Sequence, residues 1–209
     1  MVISHSHRFI YWKPHKVAST SVMYALSRLC NENDSCGGIA GKVEEDVDNL
    51  RRNMTAFSHL QTMGNHAAPE EIRDISDMLW GSALWQSYYK FTIVRNPWDW
   101  ALSLLDYARN QLGSDINFDD VVKHSQRRYW FSDSDQPLAD FYIRYEHLNE
   151  DYNSVCQHLQ LPGEPLPHFR VGSRDKSRPY WEFYTEANRN LIAQIFAQEI
   201  EYFSYQFGE

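Results

Sequence analysis

The feature of the sequence that most restricts its fold is an alternation of short apolar runs with longer stretches of helical periodicity. The run from Tyr89 to Val94 is typical of a buried central strand, because it is compact and mostly apolar or aromatic. Shorter runs at residues 8–12 and 140–145 predict two further strands. Since strands that alternate with helices form parallel sheets, we expect an α/β fold with a central, mainly parallel sheet flanked by helices.

Several stretches between these runs have apolar residues at helical spacing. Proline opens two of them, at Pro69 and Pro97, and Thr185 is a suitable cap for the last. Gly113 ends the stretch that Pro97 opens, and Pro162 follows the stretch that contains Leu148 and Leu159. The predicted helices lie at residues 20–30, 69–79, 97–113, 148–159 and 185–203.

Length and composition limit the class of protein. The chain has 209 residues, 43% of them hydrophobic, which suits one domain over residues 1–209. Its 3 cysteines form no CxxC pair and predict neither a disulfide framework nor a zinc site, so a reducing compartment fits best. No apolar run approaches the roughly 18 residues that span a bilayer, and no signal-peptide core follows the N-terminus. We therefore expect a soluble, cytoplasmic protein.

The net charge bears on possible partners. A formal charge of −8 argues against a general nucleic-acid binder and against a polyanionic substrate held in a basic groove. It does not exclude one local basic pocket. The cations placed to serve such a pocket are Lys16, Arg95, Arg174, Lys176 and Arg178, of which the last three fall in a predicted surface loop, residues 162–179. The alternative for that loop is a solvated basic segment.

The junction between the first strand and the first helix combines a lysine with three hydroxyls. Lys16 precedes Ser19, Thr20 and Ser21 at the predicted helix start. Free N–H groups and the helix dipole favour an anion there, to which these side chains add donors and a cation. The loop has no glycine and lacks the Walker pattern, which disfavours an ordinary NTPase or kinase. The simpler alternative is a helix with a Ser or Thr cap.

A second strand, turn and helix junction begins at Arg95, directly after the predicted central strand. Ser103 lies eight residues later, about two helical turns on. Both junctions follow the carboxyl ends of strands, where ligands of parallel sheets bind, so one crevice is expected to present both to a ligand with two phosphate groups. For Ser103 the alternative is a small residue that packs between helices.

Together these two segments resemble the paired motifs of sulfotransferases. The segment from Lys16 to Ser21 resembles the 5′-phosphosulfate loop, in the form seen in the carbohydrate branch, and residues 92–98 with Ser103 resemble the 3′-phosphate element. Residues 65–73, 144–148 and 200–207 are similar to further landmarks of the family. One departure is Ala18, where family loops often have glycine. The resemblance implies a three-layer, P-loop-like fold and a small soluble enzyme of bacterial type.

The resemblance also implies a reaction and a donor. Family members transfer a sulfuryl group from 3′-phosphoadenosine 5′-phosphosulfate (PAPS) and release adenosine 3′,5′-bisphosphate. Lys16 would stabilise charge on the leaving oxygen, and Arg95 and Ser103 would bind the 3′-phosphate. The leaving group is a good one, so no metal is expected. The remaining donor-binding residues implied are Val17, Ala18, Ser19, Thr20, Ser21, Arg174, Lys176 and Arg178.

The base and the acceptor are less defined. His66 matches a histidine segment of the family, His59 is a second candidate base, His15 lies inside the anion loop, and an acidic base is an alternative. The expected acceptor is a hydroxyl or amine of a sugar or small molecule, neutral or cationic because the chain is acidic. Two rival functions stay open: a small-molecule kinase of the P-loop type and a noncatalytic binder of adenosine bisphosphate. The oligomeric state is left open.

Overall fold

The computed structural model describes residues 1–31, 33–36, 83–112, 116–123, 130–132, 135–167 and 178–209. The strands in these ranges are β1 (Val2–Ser4), β2 (Phe9–Tyr11), β3 (Ser35–Cys36), β4 (Tyr89–Val94) and β5 (Phe141–Arg144). The helices are α1 (Ser19–Ser27), α2 (Ala83–Ser87), α3 (Pro97–Leu112), α4 (Phe118–Lys123), α5 (Leu148–His158), α6 (Glu186–Ile195) and α7 (Ala197–Phe203). Short 3₁₀ turns cover Tyr145–His147 and Tyr180–Phe183.

The strands form one sheet in the order β3-β1-β2-β4-β5. β4 pairs in parallel with β2 on one side and with β5 on the other, as the alternation predicts. β1 and β3, which the sequence analysis did not predict, extend the sheet through antiparallel pairs. The α/β class is therefore confirmed, with helix α1 against β1 and α5 against β5. The sheet is mixed, and the three-layer, P-loop-like character stays a prediction.

The core of the sheet lies where β2 and β4 meet. Every side chain of β2 is fully buried, and β4 is buried from Phe91 to Val94. Phe91 packs against Phe9 and Tyr11, with ring centroids 5.5 and 5.3 Å apart. Strands buried in this way leave no solvent-facing side, and this explains why both runs are almost wholly apolar in sequence.

The turn between β1 and β2 is held by a residue that is distant in sequence. The carboxylate of Asp34 accepts hydrogen bonds from the backbone N–H groups of His5, Ser6 and Asn31 and from the Ser6 hydroxyl, at 2.6, 3.1, 3.0 and 2.8 Å. Asp34 is fully buried. Burial would raise the pKa of this carboxyl, but the hydrogen bonds outweigh burial and hold it below its ordinary value.

The chain divides into two compact units. The first, residues 1–94 and 128–169, contains the whole sheet with α1, α2 and α5; the second, residues 95–127 and 170–209, contains α3, α4, α6 and α7. Within the second unit, α3 contacts α4, α6 and the 3₁₀ turn at residues 180–183. The expectation of a single domain stays a prediction. The predicted helix at residues 69–79 lies outside the described ranges.

The C-terminal helix differs from its prediction. Thr185 caps α6 as expected, since its side chain accepts the N–H of Asn188 at 3.2 Å. The predicted single helix is nevertheless two, because Phe196 leaves helical geometry at φ −108° and ψ 29°. Its buried ring packs edge-on against Trp100, with centroids 5.4 Å apart. Burial of this ring accompanies the break between α6 and α7.

Candidate active site

The loop between β2 and α1, residues 12–18, has an unusual backbone. Lys16 and Ala18 both have positive φ, 62° and 59°, in the left-handed region that glycine normally occupies. Val17 between them is fully buried, and Lys16 is half-buried. Left-handed residues that alternate with others turn successive N–H groups toward one side, which creates a concave anion-binding nest. The loop thus holds two left-handed residues without glycine, the residue that normally occupies this conformation.

Helix α1 starts directly at this nest. Its N-cap position is Ala18, which makes no side-chain cap, so the predicted alternative of a Ser or Thr cap is wrong. The N–H of Ser21 bonds to the carbonyl of Ala18 at 3.0 Å. For the N–H groups of Ser19 and Thr20, no acceptor lies among the described residues. The positive end of the helix dipole and these N–H groups favour an anion at the loop.

Three side-chain hydroxyls bond to carbonyl groups of the loop and the helix start. Ser19 donates to the carbonyl of Pro14 at 2.6 Å, Thr92 of β4 donates to that of Trp12 at 2.9 Å, and Tyr11 of β2 donates to that of Ser19 at 3.2 Å. The Ser19 hydroxyl is thus hydrogen-bonded inside the protein, and its predicted role in binding the sulfuryl donor stays a prediction. Thr20 is partly exposed, whereas Ser21 is buried.

Arg95 directly follows strand β4, two residues before helix α3, and is paired with Asp99. Its Nε and Nη2 lie 2.8 and 2.6 Å from Asp99 Oδ2, and Arg95 is only 7% exposed. Asp99 in the first helical turn also suits the positive end of the helix dipole. Ser103 follows Asp99 by one turn on the same helix face and is partly exposed. The spacing of Arg95 and Asp99 is a signal of this pair that the sequence analysis missed.

The Arg95 junction is anchored by the C-terminal segment of the chain. Asn96 accepts the N–H of Trp98 at 3.1 Å and donates to the carbonyl of Gln206 at 2.9 Å. The Trp98 indole donates to the carbonyl of Arg189 at 3.0 Å, and its ring meets Phe207 edge-on at 5.5 Å. These contacts give a structural reason for the terminal landmark at residues 205–207.

The other predicted site residues have mixed outcomes. His59, His66, Arg174 and Lys176 lie outside the described residues, so their roles stay predictions. Arg178 is exposed, lies 3.2 Å from Glu182 Oε2 and stacks 4.6 Å from the centroid of Phe183. Lys16 falls in the first compact unit, and Arg95 and Ser103 fall in the second.

Metal binding and membrane insertion are two further properties on which the described residues bear. In the part of the chain that the structure describes, no group of three or more His, Cys, Asp or Glu residues is arranged to hold a metal ion. Likewise, no described helix has the length and apolar character needed to cross a membrane. The expectations of a metal-free reaction and of a cytoplasmic location stay predictions.

The part of the chain that contains the loop is similar to a known protein family. Residues 1–104 match the model of the sulfotransferase family. This region includes β2, the loop, α1, β4, Arg95 and Ser103. Among curated proteins and among solved structures, no match to the chain is found. Through residues 1–104, about half of its length, the chain belongs to the sulfotransferase family.

Proposed function

We propose that the protein transfers a sulfuryl group from PAPS to a hydroxyl or amine of a sugar or small-molecule acceptor. The observation that carries this proposal is the loop before α1, where two left-handed residues, a helix N-terminus and Lys16 coincide within the family-matched region. Such a loop suits a phosphate or phosphosulfate group. The absence of glycine and of a Walker pattern favours this donor over ATP.

The chemistry of the loop residues follows from the charge that develops during transfer. The sulfur–oxygen bond to the 5′-phosphate breaks as a bond from sulfur to the acceptor forms, and negative charge grows on the departing phosphate oxygen. The ammonium group of Lys16 stabilises this charge, and the backbone N–H groups of Ser19 and Thr20 hold the phosphate. The Thr20 and Ser21 hydroxyls are further proposed ligands.

The 3′-phosphate of the donor is assigned to Arg95 and Ser103. A guanidinium has five N–H donors in a fixed plane, so Arg95 has the capacity to bond both Asp99 and a phosphate. Asp99 fixes the guanidinium orientation through its 2.6 and 2.8 Å contacts. This role lies beyond the described contacts and rests on the resemblance of residues 92–98 and Ser103 to the family element.

The acceptor must lose a proton, and the proposed base is His66, with His59 as the second choice. An imidazole suits this step because its pKa lies near neutrality. The acidic composition of the chain favours a neutral or cationic acceptor over a polyanionic one.

Ligand-induced stabilisation tests the donor assignment. We expect adenosine 3′,5′-bisphosphate to raise the melting temperature of the wild-type protein, because a ligand that binds only the folded state stabilises it. Adenosine 5′-monophosphate, which lacks the 3′-phosphate, serves as the matched control and should have a smaller effect. Stabilisation by ATP with magnesium but not by the bisphosphate would contradict the proposal and favour a kinase.

A further inference from the structure

Two carbonyl groups of the loop that precedes α1, and that of the first helical residue, are hydrogen-bonded from within the protein. Tyr11 and Thr92 are fully buried, and Ser19 is only 4% exposed. Their hydroxyls bond the carbonyls of Ser19, Trp12 and Pro14 respectively. Because the donors are buried, these carbonyl groups are directed at the protein interior.

The direction of carbonyl groups matters for an anion-binding loop. A carbonyl oxygen carries partial negative charge and repels a phosphate, whereas an N–H group attracts it. A loop without glycine also holds Lys16 and Ala18 in a left-handed conformation, which is unfavourable for residues with a Cβ atom. Such a conformation persists only where the surrounding structure fixes it. The three hydroxyl contacts are structural restraints of the required kind.

The Ser19 contact has a particular relation to Lys16. Pro14 and Ser19 lie on either side of Lys16, and the 2.6 Å bond between them closes the intervening chain into a ring. This bond therefore fixes the part of the backbone that carries the lysine. Ser19 is also the first residue of α1, so the same contact connects the loop to the helix start.

We propose that Ser19, Tyr11 and Thr92 are positioning residues of the donor site. Their hydroxyls hold the carbonyls of Pro14, Ser19 and Trp12 toward the protein interior, so that the N–H groups of Ser19 and Thr20 are directed at the donor. The proposal rests on the proposed function. It assigns the Ser19 hydroxyl to the Pro14 carbonyl in the donor complex as well, so Ser19 contributes its backbone N–H and not its hydroxyl to donor binding.

The surroundings of Tyr11 keep its phenol protonated, so that it remains a hydrogen-bond donor. Burial raises the pKa of its phenol well above the ordinary value, and Tyr152 nearby raises it further. The phenol thus keeps its proton and remains a hydrogen-bond donor at all physiological pH values. Thr92 is a polar residue inside an otherwise apolar part of β4, and its bond to Trp12 connects the loop to the central strand.

Substitution of Ser19 tests the proposal, with Ser27 as a matched control. The Ser27 hydroxyl also donates to a backbone carbonyl, that of Tyr24 at 2.7 Å, but at the far end of the same helix. We expect Ser19→Ala to lower the melting temperature by about 2–4 °C and to weaken binding of adenosine 3′,5′-bisphosphate about tenfold, measured by calorimetry well below the melting temperature. Ser19→Thr, which keeps a hydroxyl, should restore both quantities, and Ser27→Ala should bind the nucleotide as the wild type does.

The two measurements together distinguish the possible roles of Ser19. Weaker binding with an unchanged melting temperature would identify the hydroxyl as a direct ligand and overturn the proposal. A lower melting temperature with unchanged binding would identify a purely structural contact and overturn it equally. Failure of the wild type to bind the nucleotide would instead overturn the proposed function itself.

Two further variants decide the matter if Ser19→Ala fails to fold. Tyr11→Phe and Thr92→Val each remove a hydroxyl while nearly preserving the volume of the side chain. We expect both to weaken binding of the bisphosphate several-fold without loss of the native fold. Wild-type affinity in both variants would contradict the proposal.

Discussion

Single residues determine the shape of the loop before α1. Lys16 and Ala18 adopt a left-handed conformation that is unfavourable for residues with a Cβ atom. The family often has glycine at the position of Ala18, and the φ of 59° gives the physical reason. Ala18 thus retains a backbone shape suited to glycine, at a cost in stability that substitution can measure.

Substitution of Ala18 by glycine and by valine should therefore change the stability of the protein in opposite directions. We expect Ala18→Gly to raise the free energy of unfolding by about 0.5–1 kcal/mol, since relief of the positive φ outweighs the greater freedom of glycine when unfolded. Ala18→Val should lower it, because a β-branched residue tolerates positive φ least. Urea unfolding of the three proteins checks this, and equal stability of the glycine and valine variants would refute it.

Asp34 provides a prediction about pH at the same scale. Its pKa is lower in the folded than in the unfolded protein, so its stabilising effect is complete above roughly pH 4–5 and is lost as pH falls through the folded pKa. Asp34→Asn should reduce the free energy of unfolding at pH 7 by about 1–3 kcal/mol. It should also make the loss of stability at acidic pH shallower. Urea midpoints measured from pH 7 down to about pH 3 test both effects. Parallel pH profiles of the wild type and Asp34→Asn would contradict a stabilising role for the ionised carboxylate.

At the scale of elements, the sequence pattern predicted the strands and helices whose bounds depend on residues close to them in the chain. The compact apolar run gives β4 its observed bounds, Tyr89–Val94, and Pro97 begins α3 as a proline in the first turn should. β1 was missed because it has three residues and its turn is held by Asp34, about 30 residues away. The split between α6 and α7 was missed because Phe196 departs from helical geometry where its ring packs against Trp100.

In the candidate site, too, features set by nearby residues were predictable from the sequence, and features set by distant residues were not. The positions of Lys16 and Arg95 after strand ends were predictable from the sequence, and their roles in the site stay predictions. The roles of Ser19, Tyr11 and Thr92 depend on contacts between segments that are up to 80 residues apart, as for Thr92 and Trp12. No local periodicity reports such contacts. A threonine within an apolar strand was the one local sign.

The packing of the C-terminal segment on α3 gives a prediction about elements. Phe207 meets the rings of Trp98, Tyr180 and Tyr184 at 5.5, 5.8 and 5.5 Å, and the guanidinium of Arg189 lies 4.7 Å from its centroid. Phe207→Ala should lower the free energy of unfolding by about 1–3 kcal/mol. Tyr202→Ala, at a side chain that is 51% exposed, is the control and should change it by less than about 0.5 kcal/mol. Similar urea midpoints for the two variants would exclude an anchoring role for Phe207.

At the scale of the whole molecule, charge is the property that bears on function. The formal charge of −8 repels a polyanionic acceptor at long range, although the donor loop is locally favourable for an anion. Local donors and overall charge thus act on different substrates of the proposed reaction. In the proposed reaction, the local donors favour binding of the nucleotide, and the overall charge disfavours a polyanionic acceptor.

This separation predicts the order of acceptors. We expect neutral sugars or cationic amines to be sulfated faster, in terms of kcat/KM, than a heparin-like polymer at low salt. Added salt should narrow the difference, because it screens the repulsion over a Debye length of about 10 Å at 0.1 M. Initial rates across such a panel at two salt concentrations test the order. A preference for the polyanion that weakens with added salt would contradict the predicted order of acceptors.

The most direct test of the account is transfer of labelled sulfuryl from PAPS by the wild type and by Lys16→Ala. We predict that the wild type modifies at least one acceptor and that Lys16→Ala is about 10²–10³-fold slower in kcat, while its melting temperature stays close to that of the wild type. Lys16 would then supply the charge stabilisation that its place in the loop before α1 suggests. Transfer by Lys16→Ala at the wild-type rate would contradict the central claim.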